Sequence, residues 1–205
     1  MTETIEQTKI DLVTVAQKLH TRGWLTGTSG NLSAVFERDP LLLAITPSGA
    51  DKGELSPTQI LSIDEHCQNI KGSHGKPSDE SPLHVAIVKA RDAGAVIHTH
   101  SVWSTLLSDV HENGIEIEGF EMLKGLYGVT THEYKEWIPI IENAQDMSSL
   151  AETMEETLAK NPEAHAVLLR RHGLYTWGRT LREAKRHVEI VEFLFEVLGR
   201  KRSWS

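Results

Sequence analysis

The sequence predicts an α/β fold in which a mixed β-sheet is covered by helices. Three observations carry that expectation. Two early strand-like runs, 31–36 and 41–46, follow one another with only a short turn at Asp39-Pro40 between them, which a regular alternation of parallel strands and helices does not allow. Two short apolar runs, Ala95-Val96-Ile97 after Gly94 and Ala166-Val167-Leu168-Leu169, read as buried strands. Stripes of apolar residues at helical spacing lie before, between and after these runs.

In chain order, Leu12, Val13, Ala16 and Leu19 form one face of a first helix, which Gly23 ends. The two early strands follow, then polar, glycine-rich pieces around 72–77. Leu83, Ala86, Ile87 and Ala90 mark a second helix, closed by Gly94 before the strand that runs into His98. A short helical stretch is expected near Trp103 to Leu107, and a strand at 137–141. Ser148 or Ser149 is the expected cap of a helix reaching Leu158. The strand ending near His172 has a hairpin partner in 174–177. Thr180 with Glu183 forms a capping-box pattern for a last helix, which Gly199 ends, with Arg200, Lys201 and Arg202 near its negative dipole end.

The chain has 205 residues, no internal repeat, no low-complexity tract and no obvious linker, so residues 1–205 read as one domain. A chain of this size buries about 70% of its unfolded surface. Its 24% charged and 39% hydrophobic residues are those of an ordinary globular protein. A formal net charge of −8 argues against a nucleic-acid partner. The lone Cys67 excludes an intramolecular disulfide framework and any multi-cysteine zinc site, and fits a reducing compartment. The start, Met1-Thr2-Glu3-Thr4-Ile5-Glu6, is polar and acidic, unlike a signal peptide. No apolar stretch is long enough to span a bilayer. The expectation is a cytoplasmic protein with no membrane partner.

His98-Thr99-His100 carries the most chemical information. Residues two apart on a strand point to the same face with Cα atoms roughly 6–7 Å apart, so the two imidazoles can converge on one cation. His172, at the end of another strand, is a third candidate ligand. A lone histidine is better read as a hydrogen-bonded core residue, but three at strand ends favour a metal. Three imidazoles leave an open position on a tetrahedral ion, which metal catalysis requires; zinc suits them, and manganese, iron or cobalt can bind the same set.

Two turns rich in hydroxyls and glycine, Gly27-Thr28-Ser29-Gly30-Asn31 and Thr46-Pro47-Ser48-Gly49, are each ordinary turn sequences, yet their N–H groups and hydroxyls can cradle a phosphate, with Lys52 adding charge. Neither matches a Walker loop or a dinucleotide fingerprint, so no nucleotide is expected. Glu80, at a helix start, and Glu121, within Phe120-Glu121-Met122-Leu123, read first as solvated carboxylates; burial of Glu121 would raise its pKa and suit it to proton transfer. Cys67 reads as a thiol without chemistry, Trp103, Trp137 and Trp177 as core or interface residues, and Arg170-Arg171 as an anion site or a partner of carboxylates.

Taken together, Gly30-Asn31-Leu32-Ser33, Thr46-Pro47-Ser48-Gly49, His98-Thr99-His100-Ser101 and Arg171-His172-Gly173 resemble the class II aldolase/adducin family, in order and over nearly the whole chain. The stretches 94–101, 121–125, 138–143 and 170–178 point within it to a hydro-lyase branch acting on a ketose 1-phosphate. The resemblance implies an α/β/α sandwich around a mixed, largely antiparallel sheet, assembled as a cyclic homotetramer. It implies one divalent ion per subunit, zinc above all, held by His98, His100 and His172. It makes Glu121 the proton donor and acceptor, and places a sugar phosphate on Ser29, Gly30, Asn31, Ser48 and Gly49. The alternatives are an aldolase or epimerase on another sugar phosphate and a non-catalytic, adducin-like assembly module. One segment departs: the family's sugar-phosphate aldolases carry Ser-Ser-Glu where this chain has Ser78-Asp79-Glu80. A charge at Asp79 beside a phosphate is unfavourable, which weighs against the aldolase reading and against Glu80 as a metal contact.

Overall fold

The structure is a computed structural model that describes residues 4–202; Met1, Thr2 and Glu3 of the acidic start and the side chain of Arg202 lie outside the described residues. Helix α1 (Ile5–Thr21) is opened by Thr4, whose hydroxyl accepts the Gln7 N–H at 3.4 Å, and it buries Leu12, Val13, Ala16 and Leu19. Strands β1 (Asn31–Arg38) and β2 (Leu41–Ile45) form the expected antiparallel hairpin. Strand β3 (Leu61–Asp64) pairs with β2 and has no counterpart in the sequence reading, because four residues in a polar stretch are too short to show periodicity. Then come α2 (Ser81–Arg91), β4 (Ala95–Thr99), α3 (Val102–Val110), β5 (Gly114–Ile117) and β6 (Glu136–Ile141). Helix α4 (Met147–Lys160), strands β7 (Ala166–Leu169) and β8 (Gly173–Gly178) and helix α5 (Leu181–Arg202) complete the chain. Strand β5 is the other element without a sequence signal.

Two boundaries differ from expectation. Asp146, not a serine, caps α4: its carboxylate accepts the Ser148 and Ser149 N–H groups at 3.0 and 3.4 Å. Gly199 does not end α5, which runs on to Arg202. A Cβ at Gly199 would come within 2.2 Å of the Trp103 ring, so glycine serves there to let α5 close on α3.

The strands form one sheet in the order β3-β2-β1-β4-β8-β7-β6-β5, and every neighbouring pair is antiparallel except β6–β7. Side chains alternate across it. Leu32, Ile97 and Leu174 meet α1, α3 and α5 on one face; Val96, Val167 and Tyr175 meet α2 and α4 on the other. The result is the expected three-layer sandwich with a mixed, mostly antiparallel sheet. Each fully buried Leu, Ile or Val in these layers contributes about 1.5–3 kcal/mol relative to exposure. Register places Asn31 opposite His98 and His98 opposite Tyr175, so the C-terminal end of β4 and the start of β8 meet at one sheet end. Among the described residues no helix is long and apolar enough to cross a membrane.

Candidate metal centre

His98 lies fully buried on β4, its ring stacked on Tyr175 with centroids 4.0 Å apart. Its Nδ1–H donates to the Leu174 carbonyl at 3.1 Å, which leaves Nε2 with a free lone pair. That Nε2 stands 2.8 Å from Nε2 of His100, just beyond the end of β4. So close an approach is made either by an N–H of His100 donating to the free His98 nitrogen or by one cation shared between the two. His172, in the β7–β8 turn, brings its ring to within 5.0 Å of His98 and 4.5 Å of His100, centroid to centroid. The turn puts Arg171 at φ +55°, a strained conformation for a non-glycine residue. Gly173 follows because nothing larger fits: its Cβ would lie 2.2 Å from the Thr99 carbonyl oxygen and about 3 Å from both the His98 and His100 rings.

The fourth member is Glu80. Its Oε1 lies 3.2 Å from His172 Nε2 and 3.3 Å from His98 Nε2, and one donor atom from each of the four residues falls within 4.8 Å of the others. Glu80 occupies the N-cap position of α2 yet does not cap it; the carboxylate turns to the histidines instead. The solvated reading of Glu80 is therefore corrected, and so is the argument drawn from Asp79. Asp79 faces outward, 3.0 Å from Lys76 Nζ and largely exposed, so its charge does not weigh on the centre.

Burial opposes the Glu80 carboxylate, but the facing His98 and His172 outweigh it and hold its pKa well below the usual carboxylate range. Burial, followed by the charges of His98 and His172, brings His100 down to about 3. A carboxylate held ionised and an imidazole at His100 held neutral suit metal ligation. Donor types, protonation and convergence all fit one divalent ion.

A further layer holds Glu80 in place. Asn31 Nδ2 donates to Glu80 Oε2 at 2.6 Å and to Ser78 Oγ at 3.0 Å. Asn31 Oδ1 in turn accepts from Nε2 of the buried His84, whose Nδ1 is 2.7 Å from Ser33 Oγ. Burial foremost keeps His84 neutral, with a pKa near 3. The sequence reading missed His84, because a polar residue inside a helical stripe carries no sign of what it faces.

The centre opens onto a pocket of about 360 Å³ walled by Ser29, Gly30, Asn31, Ser48, Gly49 and Lys52, together with Glu80, His100 and His172. The two turns singled out from sequence therefore meet beside the histidines. Gly30 has φ +67°, and a Cβ there would stand 2.6 Å from the His98 carbonyl oxygen. The Lys52 ammonium is buried and donates to the Thr28 carbonyl at 2.7 Å; burial lowers its pKa, against the pull of Glu80. The Asn31 amide faces Glu80, Ser78 and His84.

Glu121 is not among the residues walling this pocket. It sits in the short helical turn Glu121–Gly125, exposed, 2.7 Å from Lys124 Nζ and 3.8 Å from His132. The bond from Lys124 lowers its pKa, so the burial-raised value considered from sequence is not what the single chain shows. Arg170 and Arg171 pair with Glu142 and Asp109, which settles them as partners of carboxylates. Cys67 is half-buried, its thiol pushed up to about 11 by burial.

This sandwich with its Glu/His₃ cluster defines a class of protein: the chain belongs to the class II aldolase and adducin N-terminal domain family, whose model matches residues 10–198. Among its relatives, methylthioribulose-1-phosphate dehydratase of Marinobacter nauticus is 43% identical over 188 residues, 90% of this chain and 89% of that protein. The protein of the same name from Persephonella marina is 42% identical over 183 residues, 88% of this chain and 84% of its own length. In structure, YgbL of Klebsiella pneumoniae superposes with a TM-score of 0.81 at 27% identity, covering 97% of this chain and 91% of its own. L-fuculose-1-phosphate aldolase of Thermus thermophilus shares the fold, with a TM-score of 0.78 at 23% identity and 98% of both chains covered.

Proposed function

We propose that this protein is a hydro-lyase that converts 5-methylthioribulose 1-phosphate into 5-methylthio-2,3-dioxopentyl phosphate and water, a step of methionine salvage. The observation that carries the reading is the meeting of four metal-type donors with two hydroxyl- and glycine-rich turns and a buried lysine in one pocket. The names and identities of the relatives support the choice of substrate. On this reading residues 1–205 act as one cytoplasmic domain.

His98, His100 and His172, with Glu80 beside them, would hold the ion, zinc in this proposal. Bound there, a divalent ion supplies Lewis acidity that makes the carbon-3 proton of the ketose removable. The N–H groups and hydroxyls of Ser29, Gly30, Asn31, Ser48 and Gly49, with the charge of Lys52, would hold the phosphate and fix the reacting carbons, a positioning effect. Glu121 takes the proton from carbon 3, and the electron pair forms a carbon 2–carbon 3 double bond, leaving an enediolate with its charge on the carbon-2 oxygen. Glu121 then returns a proton to the departing carbon-4 hydroxyl, which leaves as water, and the enol becomes the diketone.

Exposed in one chain, Glu121 serves a pocket only by reaching that of a neighbouring copy. An exposed apolar stripe on α3, Val102, Leu106 and Val110, begins beside His100 and suits such packing, in line with a homotetramer. Incubation with 5-methylthioribulose 1-phosphate, with and without chelator, followed by mass spectrometry, tests the reading. The diketone with loss of one water, abolished by chelator, is expected. Dihydroxyacetone phosphate as product would make the protein an aldolase, and an unchanged substrate with zinc-loaded protein would overturn the assignment.

A further inference from the structure

Tyr127 lies on the loop that follows the Glu121 turn, and its backbone is gripped from both sides by histidines. The Tyr127 N–H donates to His187 Nε2 at 3.0 Å, and the Tyr127 carbonyl accepts from His165 Nε2 at 2.8 Å. Both rings are engaged at their other nitrogen as well. His187 Nδ1–H donates to the Trp177 carbonyl at 2.7 Å. His165 Nδ1 is 2.8 Å from Oε2 of the buried Glu136, whose Oε1 accepts the His165 backbone N–H at 2.9 Å. An imidazole with one accepting and one donating nitrogen is neutral, whereas one that donates from both is the cation. The backbone of one residue is thus held at its N–H by a neutral ring and at its carbonyl by a charged ring, with ring centroids 5.3 Å apart.

We propose that His165, as an imidazolium paired with Glu136, and His187, as a neutral imidazole, clamp the Tyr127 backbone at its N–H and its carbonyl and thereby hold the segment carrying Glu121 in its working position. Both are positioning residues, and the proposal rests on Glu121 as the proton carrier of the reaction above. The groups facing His165 agree with its charge: Glu136 on β6, Glu163 ahead of β7, and the Tyr134 ring at 6.4 Å, with His187 on α5. Burial opposes that charge, and Glu136 with the Tyr127 carbonyl overcomes it, raising the pKa. His187 is drawn down to about 4, by burial first, with Glu183 and Arg186 of its own helix and His165 as its charged neighbours. The clamp is therefore closed from about pH 4 up to the raised value of His165. It opens as pH rises past that value and the Nε2–H or Nδ1–H is lost.

Nitrogen-15 NMR of the histidine rings in the metal-loaded full chain, followed against pH, reads the clamp without substrate. Two protonated nitrogens on His165 and one, Nδ1, on His187 are expected at pH 6, below the ordinary histidine value from which His165 is raised and above that of His187. A neutral His165 there, or a proton residing on Glu136, overturns the proposal. Kinetics read its consequence: Glu136→Gln should keep its metal and lose kcat by about 10²-fold, the scale of a small misplacement, with KM little changed. The alkaline fall of the wild-type rate should coincide with the His165 titration, and this comparison stands even where Glu136→Gln does not fold. An alkaline limb unrelated to His165, or a folded Glu136→Gln with wild-type kcat, overturns the positioning role. Failure of the reaction assignment looks different: Glu121→Gln then turns over normally while the two histidines still titrate as described.

Discussion

Glu80 Oε1 stands 3.2 Å from His172 Nε2, joining the start of α2 to the β7–β8 turn across the end of the sheet. This contact turns a pair of strand histidines into a four-donor centre, and it assigns Glu80 and Glu121 different places in the molecule.

Glu80→Gln and Glu121→Gln are accordingly expected to fail differently. Loss of the Glu80 charge should weaken metal binding by roughly 10–100-fold, the usual effect of disturbing a site's supporting carboxylates. Glu121→Gln should retain full metal and lose turnover by roughly 10²–10⁴-fold, as for a general acid–base. Metal analysis beside kcat separates them; the reverse pattern would exchange their roles.

His98→Ala and His100→Ala should each lose metal and activity together, since each removes one of three imidazoles from the centre. Metal content of the purified variants, measured with turnover, checks this. Normal turnover in a metal-free variant would end the metal-dependent mechanism.

Gly173→Ala should destabilise the protein and disturb the centre at once. The added methyl would meet the Thr99 carbonyl oxygen at 2.2 Å and crowd the His98 and His100 rings. Overpacking of this kind costs about 1–3 kcal/mol. A lowered denaturation midpoint with reduced metal affinity is expected; wild-type values for both would show that the β7–β8 turn yields freely.

Glu192, buried on α5, accepts from Thr99 Oγ1 at 2.9 Å, between two ligand histidines in sequence. Burial raises its pKa to about 7 against the bonds from Ser101 and Thr99. Because the folded value exceeds the unfolded one, its stabilising contribution is complete below about 4.5 and is lost as pH rises through about 7. Glu192→Gln should therefore gain on wild type at alkaline pH, by on the order of 3 kcal/mol, and the gain should vanish toward pH 4.5. Urea denaturation across that range measures it, and a pH-independent difference would refute the assignment of a neutral Glu192.

The sequence by itself determined the layers and most elements, because hydrophobic periodicity is local: β1, β2, β4, β7, β8 and the five helices each carry their own stripe or run. It also marked His98, His100 and His172, because three imidazoles at strand ends favour a metal where one does not, and the two glycine-rich turns, each of which by itself is an ordinary turn sequence. Tertiary structure alone decided what those residues meet. It moved Glu80 from an ordinary helix start into the centre, turned Asp79 outward to Lys76, and set the buried His84 behind Asn31. It left Glu121 exposed in the single chain and closed two histidines on the Tyr127 backbone. Such encounters join residues far apart along the chain, and only strand order and register, fixed by the packing of the whole sheet, bring them together.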